Sequence, residues 1–274
     1  MTATAKGLRG FLDASPLAAL VEVTSVQGST PREAGAWMLV SPDRIFGTIG
    51  GGQLEFMAID KAREMLASSG DRPAAEKLSL DVPLGPEIGQ CCGGRVEVSI
   101  RMADESARAE LVAAAGAGDV SRPHVYLFGG GHVGRALASA LDLLPLNVVV
   151  VETRADALED MPDGVETRLT AVPEEMVRDA PAGSAFVVLT HDHALDFLIV
   201  AAALGRADAA YVGMIGSKTK KATFRNWYFR EASGTEADFA RLVSPIGGDR
   251  VADKRPAVIA ALAAAEILTA LTTD

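Results

Sequence analysis

Through the first hundred residues apolar side chains alternate with polar ones in short runs, at Val21 and Val23, from Trp37 to Val40, and at Val96, Val98 and Ile100. Alternation at period two marks strands that bury one face. One stretch departs from it: Leu54, Ala58, Ala62, Met65 and Leu66 share a single helical face that ends near Gly70. The pattern predicts short strands and turns around one helix, and it makes the run Gly47 to Gly52 a turn leading into a helix N-terminus. Residues 103–115 suit an alanine-rich helix, with Asp104 and Glu105 at the positive end of its dipole and Gly116 and Gly118 to stop it. A domain boundary is expected there, separating residues 1–120 from 121–274.

Past the boundary the order becomes strand, glycine turn, helix: His124 to Phe128, then GGGHVG, then Val133, Leu137, Leu141 and Leu144 at helical spacing. Val148 to Val151 is a continuous apolar run suited to a strand buried on both faces, and Ala185 to Leu189 and Tyr211 to Met214 repeat it at helix-length intervals. An alanine-rich packing helix from Pro256 to about Leu271 closes the chain. The expected fold class is therefore α/β, a Rossmann-like doubly wound parallel sheet preceded by a smaller α+β domain.

Composition narrows the partners. With 274 residues and 49% hydrophobic side chains there is material for two cores. A formal charge of −10 repels nucleic acid and anionic membrane surfaces, so a polyanionic ligand needs a focused site. No apolar run approaches the roughly 20 residues that span a bilayer. The start MTATAKGLRG lacks the basic-then-apolar order of a secretory signal, which makes a cytoplasmic location the expectation. The two cysteines, Cys91 and Cys92, are neighbours; a disulfide between them would be strained, so reduced thiols are expected. A homodimer is the default assembly.

The candidate chemistry sits on glycine turns. Gly129, Gly131 and Gly134 form G-x-G-x-x-G after a strand and before a helix, and Glu152 ends the next strand close to the ~20-residue distance at which the dinucleotide fingerprint places its acidic residue. The glycines, with Gly130, His132 and Val133 between them, let backbone amides approach a phosphate, and Glu152 could accept ribose hydroxyls. Alternatively the turn serves packing alone. His132, and the run His191-Asp192-His193 after the strand ending at Leu189, face the carboxyl edge of the sheet. His191 and His193 could hold a metal, although the sequence places no further ligand, or make polar contacts to a ligand. Asp192 or Asp196 could cap the helix that follows.

In the run Gly213 to Lys221, a serine cap and several lysines suggest an anion seat, with Ser217 and Lys218 as contacts; a solvated basic helix face is the alternative. Gly50, Gly51 and Gly52 offer another set of amides, with Gln53 and Glu55 available to a ligand, unless the glycines are there for the turn itself. Gln90-Cys91-Cys92-Gly93-Gly94 puts two thiols on a glycine-flanked loop, suited to metal or persulfide chemistry or simply buried.

Taken together, Ser29-Thr30-Pro31-Arg32, Gly47 to Glu55, Gln90 to Gly94, Gly129 to Gly134, Thr190 to Asp196 and Gly213 to Lys218 resemble the XdhC/CoxI family in order and spacing, from about Leu20 to Leu268. The resemblance implies a protein that binds molybdenum cofactor (molybdopterin) between its two domains and presents it for exchange of an oxo ligand by sulfido. It then delivers the cofactor to apo-xanthine dehydrogenase. A cysteine desulfurase as sulfur donor and the molybdenum-binding subunit of the dehydrogenase as acceptor are the implied partners. The cofactor's phosphate would lie on the amides of Gly130 to Val133, Ser217 or Lys218 would clamp it, and Cys91 or Cys92 would face molybdenum. Where many relatives carry Cys-Pro-Ile-Gly this chain has Ser244-Pro245-Ile246-Gly247, so Ser244 takes no sulfur role. The rival expectation is an NAD(P)-dependent oxidoreductase, supported by the fingerprint and Glu152; a scaffold with an empty cleft is a third.

Overall fold

The computed structural model describes residues 4–68, 77–85 and 93–272, so Cys91 and Cys92 lie outside the described residues. The chain divides into two compact units, Met1–Val120 and Ser121–Asp274.

The first unit runs α1 (Ala5–Ala14), β1 (Ala19–Gln27), β2 (Trp37–Val40), β3 (Ile45–Gly47), α2 (Gly52–Ala67), β4 (Lys77–Pro83), β5 (Arg95–Met102) and α3 (Glu105–Ser121). Its antiparallel sheet has the order β3-β2-β1-β5-β4. Val21, Val23, Val98 and Ile100 point to the face covered by α2, which buries the five residues its spacing predicts. Leu20 and Leu39 point the other way, onto Leu8, Phe11 and Leu12 of α1 and Ala107 of α3.

Two helices depart from the sequence reading, which expects one helix among strands and a stop at Gly116. Helix α1 has Thr4 as N-cap, accepting from the Gly7 N–H at 3.1 Å, and buries Ala5, Leu8, Phe11 and Leu12. Gly7 and Gly10 weaken that signal locally, and packing on the sheet outweighs them. Helix α3 runs through Gly116 and Gly118 to Ser121. Each interior glycine costs a helix about 1 kcal/mol relative to alanine. The extension carries Asp119, whose carboxylate accepts the Ala5 N–H at 2.8 Å and so ties the last turn of α3 to the first of α1.

The second unit follows the strand–helix alternation: β6 (His124–Phe128), α4 (His132–Leu141), β7 (Asn147–Glu152), a 3-10 turn at Ala155–Leu158, β8 (Glu166–Leu169), α5 (Pro173–Asp179), β9 (Ala185–Val188), α6 (His193–Leu204), β10 (Tyr211–Met214), α7 (Lys218–Glu231), α8 (Glu236–Ala240), β11 (Leu242–Val243) and α9 (Pro256–Thr272). Its six strands are parallel in the order β11-β10-β9-β6-β7-β8. Helices α4 and α9 cover one face through Leu137, Leu141, Ala263 and Ile267. Helices α5, α6 and α7 cover the other through Val177, Ile199, Val200 and Phe224. The chain leaves β6 toward β8 and then returns to β9 on the opposite side of β6. That reversal opens the crevice at the carboxyl ends of the strands where such sheets bind ligands. No described helix is long and apolar enough to cross a membrane.

Phe224 is fully buried and lies 5.3 Å, edge-on, from Phe197. Phe224→Ala should lower unfolding stability in urea by about 3–5 kcal/mol, whereas Phe56→Ala, at a ring 66% exposed, should stay within about 0.5 kcal/mol of the parent.

Candidate cofactor site at the carboxyl edge of the parallel sheet

The turn between β6 and α4 is shaped by backbone crowding. Gly129 has φ +120, and a Cβ there would stand 2.4 Å from the Leu189 carbonyl oxygen. One on Gly130 would meet the Ala157 carbonyl at 2.2 Å, and one on Gly134 would meet the Gly129 carbonyl at 2.0 Å. Gly131 differs: its φ is −66, it is exposed, and a Cβ there meets nothing within 4 Å. It is also the N-cap of α4 and carries no side-chain cap, so the first amides of the helix, at His132 and Val133, have no intrahelical acceptor. His132 is exposed and Val133 half-buried.

Glu152, at the carboxyl end of β7, is 4% exposed. Its Oε2 accepts the Gly130 N–H at 3.0 Å, and its Oε1 accepts the N–H groups of Thr153 at 2.8 Å and Arg154 at 3.2 Å. Burial opposes the charge, but these bonds and the Arg154 guanidinium outweigh it and hold the carboxyl below its ordinary value. The sequence reading gives Glu152 to ribose hydroxyls and includes Gly130 among the phosphate amides; in the structure these two groups satisfy each other.

The loops after β9 and β10 are joined from beneath. Asp196 is fully buried and accepts from the Thr190 N–H at 3.0 Å and the Thr190 hydroxyl at 2.7 Å. Its other oxygen pairs with the buried Lys220 ammonium, which also donates to the Ile215 carbonyl at 2.9 Å. Asp192 caps α6 through the Ala194 N–H at 2.8 Å, leaving His191 and His193 exposed on either side. The expected anion seat is thereby reduced. Ser217 accepts from the Lys220 N–H at 3.2 Å as the α7 cap, and Lys221 donates to the carbonyls of Leu242 and Ser244. Lys218 remains exposed, 3.9 Å from Asp249. Sequence reasoning missed the Asp196–Lys220 pair because the two are brought together only by the adjacency of β9 and β10.

In the loop after β11 the sequence reading noted Ser244 to Gly247 only to set aside a sulfur role for Ser244, and read no pocket there. Pro245 to Lys254, with Ile215, Ile259 and Leu262, encloses a pocket of about 450 Å³. Glu266 holds the loop by accepting the Gly247 N–H at 2.7 Å and the Tyr211 hydroxyl at 3.1 Å.

In the first unit the glycine triplet is required by its own turn. Gly50, Gly51 and Gly52 have φ of +126, +78 and +66, and a Cβ on Gly50 would lie 2.7 Å from Pro31. Glu55 folds back to accept the Ile49 N–H at 3.0 Å, the Gly51 N–H at 3.1 Å and the Thr48 hydroxyl at 2.5 Å, which corrects its expected availability to a ligand. Gln53 is exposed. Gly94 packs under Gln27 and Ser29, where a Cβ would stand 2.2 Å from the Ser29 carbonyl. The segment Gln27 to Arg32 thus lies between Gly94 and Gly50. Among the described residues no group of three or more His, Cys, Asp or Glu side chains could hold a metal ion.

A parallel sheet in this strand order, with a glycine turn opening into α4, defines a Rossmann domain. The chain belongs to the XdhC and CoxI family: the XdhC Rossmann domain matches residues 125–267, and the XdhC and CoxI family region matches 12–78. It is 26% identical over 259 residues to YqeB, an uncharacterized protein of Escherichia coli (strain K12), covering 91% of this chain. The chain spans 43% of that protein's length. A crystal structure from Bacillus halodurans described as a xanthine dehydrogenase has a TM-score of 0.76 at 17% identity, covering 98% of this chain and 96% of that one. At that identity the likeness is one of fold.

Lys220→Met leaves Asp196 buried without a counter-charge and should cost about 3–5 kcal/mol in urea unfolding, much of it recovered when Asp196→Asn is added. Glu152 gives a pH signature. Because folding lowers its pKa, its stabilisation is complete above the ordinary carboxylate value of 4.5 and is lost as pH falls through the lower folded value. Thermal unfolding of Glu152→Gln should therefore change less than that of the parent across that acid window; equal slopes would refute the assignment.

Proposed function

We propose that this chain is a molybdenum cofactor-binding maturation factor, which seats the cofactor's phosphate at the turn Gly129–Gly134 and holds the cofactor for sulfuration before delivery to apo-xanthine dehydrogenase. One observation carries the reading. Three glycines of the turn are demanded by the chain's own backbone, whereas Gly131 is not; its missing side chain leaves a cradle beside amides that lack intrahelical acceptors. A phosphate fits that donor set. Exposed His132, His191, His193 and Lys218 supply further polar contacts along the same edge.

When bound, the cofactor brings the molybdenum at which oxo is exchanged for sulfido. The chain's part is to bind, orient and shelter. A cysteine desulfurase supplies the sulfur, the molybdenum-binding subunit of the dehydrogenase receives the product, and Cys91 and Cys92 are the thiols that the family resemblance offers for the sulfur step. Family membership supports this reading over a nicotinamide dehydrogenase, as does Glu152, whose oxygens already accept from Gly130, Thr153 and Arg154.

The test is pterin released from purified protein and read by fluorescence after oxidation. Gly131→Val should retain the fold but lose at least about tenfold in molybdopterin affinity, equivalent to roughly 1.4 kcal/mol. Cys91→Ala with Cys92→Ala should keep the pterin and fail to activate the apo-dehydrogenase. Undiminished pterin in Gly131→Val, or nicotinamide nucleotide in place of pterin, would overturn the proposal.

A further inference from the structure

In the first unit, the face of the antiparallel sheet that turns toward α1 and α3 carries two charges that the chain does not pair. Across the strands its rows read Trp37, Glu22, Ser99 and Leu39, Leu20, Arg101. Glu22 and Arg101 are half-buried, and among the described residues neither side chain has an ion-pair or hydrogen-bond partner. They stand on neighbouring strands as diagonal neighbours, a relation that sets Cα atoms about 7–8 Å apart, yet they do not meet. Lys77, directly opposite Arg101 on β4, brings a like charge instead of a partner. Taking a charge partly out of water without pairing it is unfavourable. Local rules of this kind are broken mainly where function needs it.

Over these residues lies one face of α3, with Ala107, Glu110, Leu111 and Ala114 at helical spacing. The two alanines leave the space beneath the helix unfilled, and with Leu20, Glu22, Trp37 and Arg101 this face lines a cavity of about 240 Å³. Trp37 forms an apolar wall, stacked on Phe46 at 6.1 Å. Glu110, exposed at the mouth, accepts the Ser106 hydroxyl at 3.0 Å on one oxygen. A ligand with only a positive charge would face Arg101 here, and one with only a negative charge would face Glu22 and Glu110. A small molecule with both charges side by side answers the two together.

We infer that this cavity binds a free α-amino acid with an apolar side chain. Arg101 forks its carboxylate, Glu22 accepts from its ammonium with Glu110 at the mouth, and its side chain lies against Trp37, Leu20 and Leu111. The space equals roughly eight water volumes, room for a molecule the size of leucine. A peptide carries its ammonium and carboxylate at opposite ends, so adjacent unlike charges select the free amino acid. The site belongs wholly to the first unit and draws on nothing at the glycine turn of the second.

L-leucine is the probe, titrated calorimetrically into the full chain. Glu22→Gln, Arg101→Met and Ala114→Trp, the last filling the cavity from an exposed helix position, should each weaken its binding at least about tenfold. Isopentylamine, which lacks the carboxylate, and 4-methylpentanoate, which lacks the ammonium, should each bind at least about tenfold more weakly than leucine. In urea, Glu22→Gln and Arg101→Met should unfold at the same or a higher midpoint than the parent, since neither charge has a partner to lose; a lower midpoint in both would make the charges structural and overturn the proposal. So would absence of leucine binding to the parent, binding unchanged in the two charge variants, or either single-charge analogue binding as tightly as leucine.

Discussion

Backbone crowding at the carboxyl end of β6 is the constraint around which the second unit is arranged. Helix α4 can lie against β6 only because Gly134 presents no Cβ to the Gly129 carbonyl. The loop after β9 can pass over the same point only because Gly129 presents none to Leu189, and the 3-10 turn after β7 closes in on Gly130 in the same way. Three segments from distant parts of the sequence are thus locked at one place with backbone against backbone. The crevice at the strand reversal inherits that rigidity. Gly131 stands outside the lock, so the steric map separates what the fold needs from what a ligand would need.

The chain's own carboxylates decide which amides stay available. At the turn before α2, Glu55 and the Thr48 hydroxyl absorb the N–H groups of Ile49, Gly50 and Gly51. That turn is closed on itself, and its positive-φ glycines serve backbone geometry. At the turn before α4, Glu152 takes the Gly130 N–H and goes no further. Two glycine-rich turns of similar appearance therefore differ in kind, through where a single glutamate reaches.

The parallel sheet was legible where its strands are apolar on both faces, as in β7, β9 and β10, whereas the edge strand β8 is exposed along its length and carries no such signal. Val148 to Val151 announces burial from both sides, and Leu54 to Leu66 announces a helix resting on a sheet. Helix α1 and the end of α3 were less legible, since glycines dilute their periodicity and the bond from Ala5 to Asp119 that joins them spans most of the first unit. At the site, the glycine fingerprint was readable as a local string. The fates of Glu55, Glu152 and Lys220 were not, because each depends on which loop the fold sets beside it. Lysines that read as a basic cluster turn out to serve a buried carboxylate and the carbonyls after β11.

That reassignment bears on how an acidic protein would hold the phosphate proposed for it. With a net charge of −10, and with Lys220 and Lys221 engaged internally, attraction at the candidate site comes chiefly from backbone N–H groups and the positive end of α4. Helix-end contributions of this kind are modest, on the order of 0.3–1 kcal/mol each at exposed positions, and the Arg154 guanidinium beside the turn is paired with Glu152. Holding by shape and oriented dipoles, with the net charge opposing, limits residence. Under the proposed role, in which the cofactor is passed to another protein, a seat selective in form and moderate in strength is better suited than a basic clamp, since the acceptor need exceed it by little to draw the ligand away.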